Sequence, residues 1–291
     1  MTQRCAVIGG GTMGAGIAYV AATAGLDVDL VEVDAVRCAG AVEMLRARWD
    51  EAVRRGKLDA AAAADARTRV NAVTSLDAIS DGPDVLVEAV PEVLALKRDV
   101  LTAAEAKWPG LLASNTSSIP IGELAVGLRA PERFIGLHFF NPVWAMALLE
   151  IVVGPATAAP TTAAAVALAE RLGKEPIVVR DSPGFATSRL GVTLGLEAIR
   201  MLEENVASAA DIDKGMVLGY RHPMGPLELT DHVGLDVRLG VARTLQGAFG
   251  DRFAPPPLLE RLVAEGKLGR KSGQGFYTWV DGKRAAGNAH D

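Results

Sequence analysis

The stretch Val7-Ile8-Gly9-Gly10-Gly11-Thr12-Met13-Gly14 sets the architecture of the first half of the chain, because an apolar strand leads directly into a glycine-rich turn that opens a helix. In this GxGxxG pattern, Gly9 permits the tight turn and Gly11 permits the close approach of a pyrophosphate. Gly14 allows the helix to pack closely against the strand. The stretch therefore predicts a strand–turn–helix unit that binds a dinucleotide.

An acidic residue after the second predicted strand indicates which dinucleotide is bound. The backbone N–H groups of Thr12 and Met13, at the start of the helix, are expected to hold the pyrophosphate. Glu32 follows Gly14 at a spacing close to that of the acid that binds the adenosine ribose hydroxyls. Asp34 is an alternative, but Glu32 falls at the carboxyl edge of the predicted sheet. Either carboxylate repels a 2′-phosphate, so the pattern favours NAD over NADP.

Short apolar strands alternate with helical stretches through the first part of the chain. The predicted strands are Cys5–Ile8, Val28–Val33, Val70–Val73, Val85–Glu88, Leu112–Asn115, Phe134–Leu137, Leu148–Val153 and Ile177–Arg180. Most of them are continuous apolar runs, which is typical of strands buried on both faces of a parallel sheet. The predicted fold class is therefore α/β, with an N-terminal Rossmann-type doubly wound sheet.

Two further features complete the predicted organisation. A helix from Ala35 to about Arg55 stops at Gly56 and restarts at Asp59, which predicts a helical hairpin inserted into the sheet domain. After Asp181-Ser182-Pro183-Gly184 the pattern becomes helical, with no further strand expected. The predicted helices cover 185–204, 209–218, 227 to about 249 and 258–265. The predicted domains are 1–182, which binds NAD, and 183–291, which is all-helical.

The composition excludes several classes of protein. The 291 residues carry a net charge of −5, which argues against a general nucleic-acid or membrane surface. No apolar run reaches the roughly 18 residues that a membrane span needs. The N-terminus shows no charged-then-apolar leader. The two cysteines, Cys5 and Cys38, have neither a disulfide framework nor a metal-ligand spacing, so we expect a cytoplasmic protein without a metal site.

Histidine is the usual base in a secondary-alcohol dehydrogenase, because its pKa lies near neutrality. The chain has four histidines. His290 lies in the polar tail, and His222 precedes a proline in a turn. Unlike these two and His232, His138 ends a predicted sheet strand, where open sheets bind their ligands. His138 is therefore the candidate base.

Two other segments support this choice. Glu150 lies on the next predicted strand within a strongly apolar run, and strand pairing is expected to bring its carboxylate to the imidazole. A carboxylate in that position fixes the tautomer and stabilises the imidazolium. The segment Ser114-Asn115-Thr116-Ser117-Ser118 follows another strand and offers hydroxyl groups at the same edge of the sheet. Taken alone, that segment also fits ordinary turn chemistry.

With these residues in place, the sequence resembles the L-3-hydroxyacyl-CoA dehydrogenases, including the bacterial 3-hydroxybutyryl-CoA dehydrogenases, over essentially its whole length. The first matching segments are Val7 to Gly14, Glu88-Ala89-Val90-Pro91-Glu92, Ser114 to Ser118, and Gly136-Leu137-His138-Phe139-Phe140-Asn141-Pro142. The later ones are Asp181 to Phe185, His222-Pro223-Met224-Gly225-Pro226, Asp231 to Leu235, and Lys271-Ser272-Gly273. Their number and common order make the resemblance specific.

The resemblance implies a role for each matching residue. It implies (S)-3-hydroxyacyl-CoA oxidation with His138 as the base, Glu150 as its orienting partner, and Ser117 on the substrate oxygen. The residues implied along the cofactor are Glu32, Glu92, Lys97 and Asn115. Further substrate-binding candidates are Asn141 and, for the phosphates of CoA, the hairpin cations Arg54, Arg55 and Lys57. In relatives the helical domain forms a dimer interface, so the resemblance also implies a homodimer and a place in fatty acid metabolism.

The sequence departs from the family pattern at four positions, of which Asn205, in place of a usual Gly, is expected to have no consequence. Ser188 stands where the family usually has an Asn in its active site, and Trp144 and Ala147 stand where many relatives have Pro and Lys. Two alternatives therefore remain: a sugar-acid dehydrogenase of the gulonate type, which shares the cofactor and His/Glu motifs, and a catalytically weak NAD-binding structural protein. The presence of His138, Glu150 and Ser117 together argues against a purely structural role.

Overall fold

The computed structural model describes residues 3–79 and 82–288. The chain divides into two compact units, Met1–Ser182 and Pro183–Asp291, which are treated separately below. No helix in the described part of the chain is long and apolar enough to cross a membrane.

The first unit is built on a sheet with strand order β3-β2-β1-β4-β5-β6-β7-β8. The strands are β1 (Arg4–Ile8), β2 (Asp27–Val31), β3 (Val70–Val73), β4 (Val85–Glu88), β5 (Leu111–Ser114), β6 (Phe134–Phe139), β7 (Leu148–Val153) and β8 (Glu175–Arg180). Both β2 and β4 pair with β1 in parallel, so the order reverses on either side of β1. The predicted doubly wound sheet is confirmed, and all eight predicted strands are present with bounds shifted by at most two residues.

One pairing differs from the prediction of a parallel sheet. Strand β7 runs antiparallel to β6, whereas β8 is again parallel to β7. The connection between β6 and β7 is short, with no crossover helix, and a parallel strand needs a crossover of about a dozen residues or more. The short connection therefore requires the reversal.

The helices of the first unit pack on this sheet and include the predicted hairpin. They are α1 (Thr12–Thr23), α2 (Ala35–Arg54), α3 (Ala60–Thr68), α4 (Leu94–Glu105), α5 (Ile121–Leu124) and α6 (Ala159–Arg171). Helix α2 ends before Gly56, whose φ of +65° suits glycine. Helix α3 begins at a cap in which the Asp59 carboxylate accepts hydrogen bonds from Ala61 N and Ala62 N. The helical hairpin is therefore confirmed.

The second unit is mostly helical, as predicted, with two differences. Its helices are α7 (Thr187–Glu203), α8 (Ala209–Gly219), α9 (Pro226–Val233), α10 (Leu235–Phe249) and α11 (Pro257–Ala264). The single helix predicted over 227–249 is wrong, because Gly234 adopts a φ of +102° and separates α9 from α10. The expectation of no further strand is also wrong. Strands β9 (Tyr277–Val280) and β10 (Lys283–Asn288) pair as an antiparallel hairpin.

Two buried carboxylates fasten this hairpin to the helices. Asp231 of α9 accepts hydrogen bonds from the N–H groups of Phe276 and Tyr277 and from the Trp279 indole. Asp213 of α8 accepts from the Tyr277 hydroxyl at 2.8 Å. The aromatic side chains of the hairpin are buried in the core of the second unit. The hairpin therefore completes that core.

Candidate active site

The reversal of strand order around β1 determines where a ligand can bind. In an open α/β sheet, the crevice at such a switch point lies outside the carboxyl ends of the parallel strands. Strands β1, β4 and β5 are parallel neighbours, and β6 runs parallel to β5. Their carboxyl ends therefore bring together the glycine loop and the segments that follow Glu88, Ser114 and Phe139.

The glycine loop has the shape that a pyrophosphate requires. Gly9 has a φ of +97°, and a Cβ at Gly14 would lie 1.7 Å from the Gly9 carbonyl oxygen, so a larger residue is excluded there. A Cβ at Gly11 would meet nothing within 4 Å, which leaves the space in front of the loop open. The N-cap residue of α1 is Gly11, which has no side chain with which to cap the first N–H groups of the helix. These residues fit a dinucleotide, and Thr12 and Met13 lie at the helix start, as predicted.

Glu32 lies beside this loop, one residue beyond the end of β2. Its carboxylate accepts hydrogen bonds from Gly10 N at 2.7 Å and from Val33 N at 3.0 Å. The competing acid, Asp34, caps α2 by accepting a hydrogen bond from Arg37 N at 2.8 Å. The geometry thus places Glu32, rather than Asp34, against the glycine loop.

A buried network joins the ends of β4 and β5. Lys97 is fully buried, and its Nζ lies 2.8 Å from Glu88 Oε1 and 3.3 Å from Glu92 Oε2. The other oxygen of Glu88 accepts a hydrogen bond from the Ser114 hydroxyl at 2.5 Å. A buried charge needs partners of this kind. Neither Glu88 nor Ser114 was predicted to have a role, although the position of Glu88 directly after the apolar run Val85–Val87 is a signal visible in the sequence.

Glu92 organises the hydroxyl-rich loop after β5. Its Oε1 accepts hydrogen bonds from the Thr116 hydroxyl at 2.6 Å, from Ser117 N at 2.9 Å and from Ser118 N at 3.1 Å. Partial burial acts to raise the pKa of Glu92, but the charge of Lys97 and these hydrogen bonds outweigh it and lower the pKa below its ordinary value. Glu92 is therefore a carboxylate at neutral pH, and it fixes the position of Ser117.

His138 and Glu150 face each other across β6 and β7. They are directly opposed in the antiparallel register, and His138 Nδ1 lies 2.8 Å from Glu150 Oε2. Glu150 is fully buried, and His138 is 7% exposed. Phe140 packs against the imidazole with ring centroids 4.4 Å apart. The strand pairing thus brings the two predicted residues together. A histidine held through Nδ1 presents its other nitrogen for proton transfer.

The remaining predicted site residues lie on three different segments. Asn115 follows β5, and its Oδ1 accepts a hydrogen bond from Phe139 N at 3.0 Å, which ties the loop to the histidine strand. Asn141 is exposed in the connection between β6 and β7. Ser188 lies in the first turn of α7, in the second unit.

A cavity of about 540 Å³ lies on another part of the first unit. Its walls come from α1, α2, the segment around Trp144 and the end of α6. The basic side chains that line it are Arg48, Arg55, Lys57, Arg171 and Lys174, against the single acid Glu51. Two of the three predicted hairpin cations, Arg55 and Lys57, are thus in its wall. Arg54 is not among the lining residues, and it pairs with Glu51 at 2.6 Å.

Lys174, which was not predicted from the sequence, holds one wall of this cavity in place. Its Nζ donates hydrogen bonds to the carbonyl oxygens of Val143 and Met146, at 2.5 and 2.7 Å. Burial lowers the pKa of this ammonium group below its ordinary value. The connection that follows His138 is therefore tied to the turn between α6 and β8.

The switch-point topology, the glycine loop and the histidine–carboxylate pair define a dinucleotide-dependent oxidoreductase of the doubly wound class. Two family models match almost the whole chain. The model described as 3-hydroxyacyl-CoA dehydrogenase, NAD binding domain, matches residues 4–182. The model described as 3-hydroxyacyl-CoA dehydrogenase, C-terminal domain, matches residues 184–279. The chain belongs to the 3-hydroxyacyl-CoA dehydrogenase family.

Individual relatives agree with this assignment. A probable 3-hydroxybutyryl-CoA dehydrogenase of Bacillus subtilis is 38% identical over 96% of this chain and 98% of its own length. A 3-hydroxyadipyl-CoA dehydrogenase of Escherichia coli is 41% identical over 95% of this chain but only 59% of its own length. The crystal structure of (S)-3-hydroxybutyryl-CoA dehydrogenase from Ralstonia eutropha superposes with a TM-score of 0.91 at 40% identity, covering 97% of this chain and 100% of that one. The family resemblance, the cofactor NAD and the assignment as an NAD-dependent oxidoreductase are thus confirmed.

Proposed function

We propose that the protein oxidises the 3-hydroxyl of an (S)-3-hydroxyacyl-CoA to the 3-oxo group with NAD. The observation that carries this proposal is the His138–Glu150 pair, at 2.8 Å, on adjacent strands of a family member. Relatives with about 40% identity are named for 3-hydroxybutyryl-CoA or 3-hydroxyadipyl-CoA. Both names describe small acyl groups on the same thioester, so the substrate class is a small 3-hydroxyacyl-CoA.

In the proposed reaction His138 is the base. Its Nδ1 donates a hydrogen bond to the Glu150 carboxylate, so Nε2 carries the lone pair that accepts the proton of the 3-hydroxyl. Glu150 then stabilises the imidazolium, as in other histidine–carboxylate pairs. When bound, NAD supplies the acceptor for the hydride that leaves C3 of the substrate. The proton on His138 is released to solvent after product formation.

The substrate oxygen is proposed to be held by hydroxyl and amide groups. Ser117 is the principal hydroxyl, because Glu92 fixes the backbone on either side of it. The Ser117 hydroxyl lies 3.4 Å from Glu92 Oε1, and it is proposed to turn from that weak contact to the substrate oxygen. Asn141 and Ser188 are proposed as further hydrogen-bonding groups for the substrate. Their part is to orient C3 and its hydroxyl rather than to take the proton.

Different residues are proposed to bind different parts of the cofactor. Gly9, Gly11 and Gly14 form the turn, and the N–H groups of Thr12 and Met13 receive the pyrophosphate. Glu32 binds the adenosine ribose hydroxyls. Glu92 and Asn115 lie along the rest of the dinucleotide, and Lys97 acts by neutralising Glu88 and Glu92 from its buried position.

The CoA part of the substrate is proposed to use the cavity lined by the hairpin. Arg55 and Lys57 are placed to meet its phosphates, because both lie in the wall of a cavity that has five cations against one acid. Arg54 is proposed to have a supporting role, because it does not line the cavity and shares the Glu51 carboxylate with Arg55.

We also propose a homodimer formed through the second unit. Apolar side chains are exposed there on four helices: Leu190 and Leu194 on α7, Leu218 on α8, Val233 on α9 and Val237 on α10. An exposed apolar surface of this kind is typical of a subunit interface. Measurement of the molar mass in solution would decide this point. A cytoplasmic location is part of the proposal, and the two free, buried cysteines support it.

One experiment tests the proposed activity directly. NADH formation is followed at 340 nm with NAD and a panel of CoA thioesters: 3-hydroxybutyryl, 3-hydroxyhexanoyl and 3-hydroxyadipyl, each in both configurations. We expect turnover with the S and not the R compounds. Gulonate serves as the comparison for the sugar-acid alternative. Turnover of gulonate without turnover of any thioester would contradict the proposal.

A further inference from the structure

Two carboxylates share a single cation at the carboxyl ends of β4 and β5. Lys97 Nζ lies 2.8 Å from Glu88 Oε1 and 3.3 Å from Glu92 Oε2. Within the described part of the chain, every polar partner of Glu88 donates a hydrogen bond to it: Val90 N, the Lys97 ammonium and the Ser114 hydroxyl. Glu88 is therefore a carboxylate. The Glu88–Lys97–Glu92 cluster thus has two negative charges and one positive charge, and one negative charge is left over.

The geometry places this excess charge on Glu92. The contact of Lys97 with Glu88 is the shorter of its two contacts, and both of these residues are fully buried, where opposite charges attract most strongly. The side chain of Glu92 is 34% exposed, and its other partners are uncharged N–H and hydroxyl groups of the loop after β5. Helix α4 begins two residues later, and its N-terminus adds only about half a positive charge. A negative excess therefore remains on the accessible side of the cluster.

Structural stability alone does not require this composition. A buried lysine needs one carboxylate as its partner, and removing a second carboxylate from water without a second cation is unfavourable. Glu88 nevertheless lies between Ile8 and Ser114 in the register of the sheet, where it is held firmly by its three donors. The cluster is therefore short of one positive charge, and a bound ligand that carries such a charge would supply it.

The loop that Glu92 organises indicates which part of a ligand comes to the cluster. Glu92 Oε1 accepts a hydrogen bond from Ser117 N at 2.9 Å, and the Ser117 hydroxyl lies 3.4 Å from the same oxygen. In the proposed function this hydroxyl holds the substrate oxygen, and the hydride leaves the carbon that bears that oxygen. The nicotinamide ring that receives the hydride therefore has to come to this end of the site. The ring is a cation in NAD⁺ and neutral in NADH.

We propose that the Glu88–Lys97–Glu92 cluster selects the oxidation state of the cofactor, because its excess negative charge attracts the cationic ring of NAD⁺ and not the neutral ring of NADH. The inference rests on the proposed function, which places the ring beside Ser117. Glu88 is the determinant of this selectivity. It is too deeply buried to touch the cofactor, but without it Lys97 would neutralise Glu92. A site of this kind is less inhibited by NADH, and it therefore favours oxidation of the substrate.

Binding of the two forms of the cofactor tests this inference without any substrate. The Kd of NAD⁺ is measured by calorimetry, and the Kd of NADH by its fluorescence. We expect Glu88→Gln to weaken the binding of NAD⁺ roughly 5- to 50-fold, which corresponds to removal of one charge several ångströms away at an effective dielectric constant of about 20 or more. The Kd of NADH should stay nearly unchanged. Equal weakening of both forms would overturn the inference, because it would mean that Glu88 only maintains the fold of the site.

Two further variants separate charge from structure. Ser114→Ala is the matched control, because it removes a hydrogen bond to Glu88 without changing any charge, and the ratio of the two Kd values should stay parental. In Glu88→Gln/Lys97→Met, Glu92 is the one charge left in the cluster, so the net charge is again that of the parent protein. This double variant should recover the parental ratio. A ratio that stays at the value for Glu88→Gln would overturn the inference.

The Tm of each variant shows whether it is folded. If Glu88→Gln is not, Glu92→Gln makes the same change in net charge at the other carboxylate and should change the ratio of the two Kd values in the same direction. An unchanged ratio in Glu92→Gln would overturn the inference. A parent protein that oxidises no thioester would contradict the proposed function, whereas the Kd values would still decide the role of the cluster.

Discussion

Glu150 lies directly opposite His138 on the neighbouring antiparallel strand, and its Oε2 is 2.8 Å from the imidazole Nδ1. The two side chains therefore share one face of the sheet, and the strand register alone fixes their separation. Because Glu150 is fully buried, its interaction with the imidazole is only weakly screened by water.

The His138–Glu150 pair gives the first prediction. His138→Gln should lower kcat by about 10²–10⁴, the usual contribution of a positioned general base, and should leave the affinity for NADH unchanged. Glu150→Gln should also lower kcat, because the imidazolium loses its partner. His232→Gln, at an exposed histidine of the second unit, is the control and should retain parental kcat. Near-normal turnover of His138→Gln would assign the base to another residue.

The second prediction concerns the choice of cofactor. Glu32→Ala should weaken the binding of NAD. It should also lower the ratio of kcat/KM with NAD to kcat/KM with NADP, because a carboxylate that repels the 2′-phosphate is removed. Asp34→Ala is the matched control. It removes the α2 cap, at a cost of about 0.5–2 kcal/mol, but should keep the cofactor ratio. Equal use of NAD and NADP by the parent protein would reject the role of Glu32.

Ser188 gives the third prediction. A neutral hydrogen bond contributes about 0.5–1.5 kcal/mol, so Ser188→Ala should lower kcat/KM roughly three- to tenfold, far less than the loss at His138. Ser188→Asn, which restores the residue usual in the family, should remain active. Both kcat/KM and Tm are measured. Unchanged kinetics in Ser188→Ala would mean that the hydroxyl serves only the helix.

The fourth prediction follows from the buried carboxyl of Asp213. Burial raises its pKa above the ordinary value of 3.8, although hydrogen bonds from Leu227 N and Tyr277 oppose the rise. A carboxyl whose pKa is higher in the folded state contributes stability that is fully present below the unfolded pKa and lost as pH rises through the folded pKa. Asp213→Asn stays neutral throughout. The excess Tm of the parent protein over this variant should therefore shrink as pH rises above 3.8.

Asp211→Asn is the control for that measurement, because Asp211 is exposed on the same helix. Its Tm difference from the parent protein should show no comparable decline with pH. A difference for Asp213→Asn that grows with pH would mean that the buried carboxylate is stabilised, and not penalised, in the folded state.

Local patterns were sufficient for much of the fold. The strands of the first unit and the α2–α3 hairpin were predictable, because each depends on a local signal. These signals are the apolar runs, Gly56 and the Asp59 cap, and each lies within a few residues of the structure that it determines. The break at Gly234 was not, since an isolated glycine is also tolerated within a helical pattern. The β9–β10 hairpin was missed because its two strands are short, and the burial of β9 depends on Asp231, far away in sequence.

The candidate site was predictable only in part. The pairing of His138 with Glu150 was predictable because the two residues lie on strands that are consecutive along the chain, and that succession is visible in the sequence. The hydrogen bonds from Ser117 and Ser118 to Glu92 join positions more than twenty residues apart, and no local pattern encodes them. The cavity lined by the hairpin is assembled from several distant segments. Each of its cations taken alone looks like an ordinary solvated side chain.

Strand β9 limits where the gene can be shortened or extended. A stop codon before residue 277 would remove two buried aromatic side chains, Tyr277 and Trp279, and would leave the Asp231 carboxylate with fewer of its donors. Such a truncated product is expected to enter inclusion bodies or to be degraded, even though the sheet and all the proposed catalytic residues are still encoded. A purification tag or a second enzyme fused to this end therefore has to follow the hairpin and not replace it.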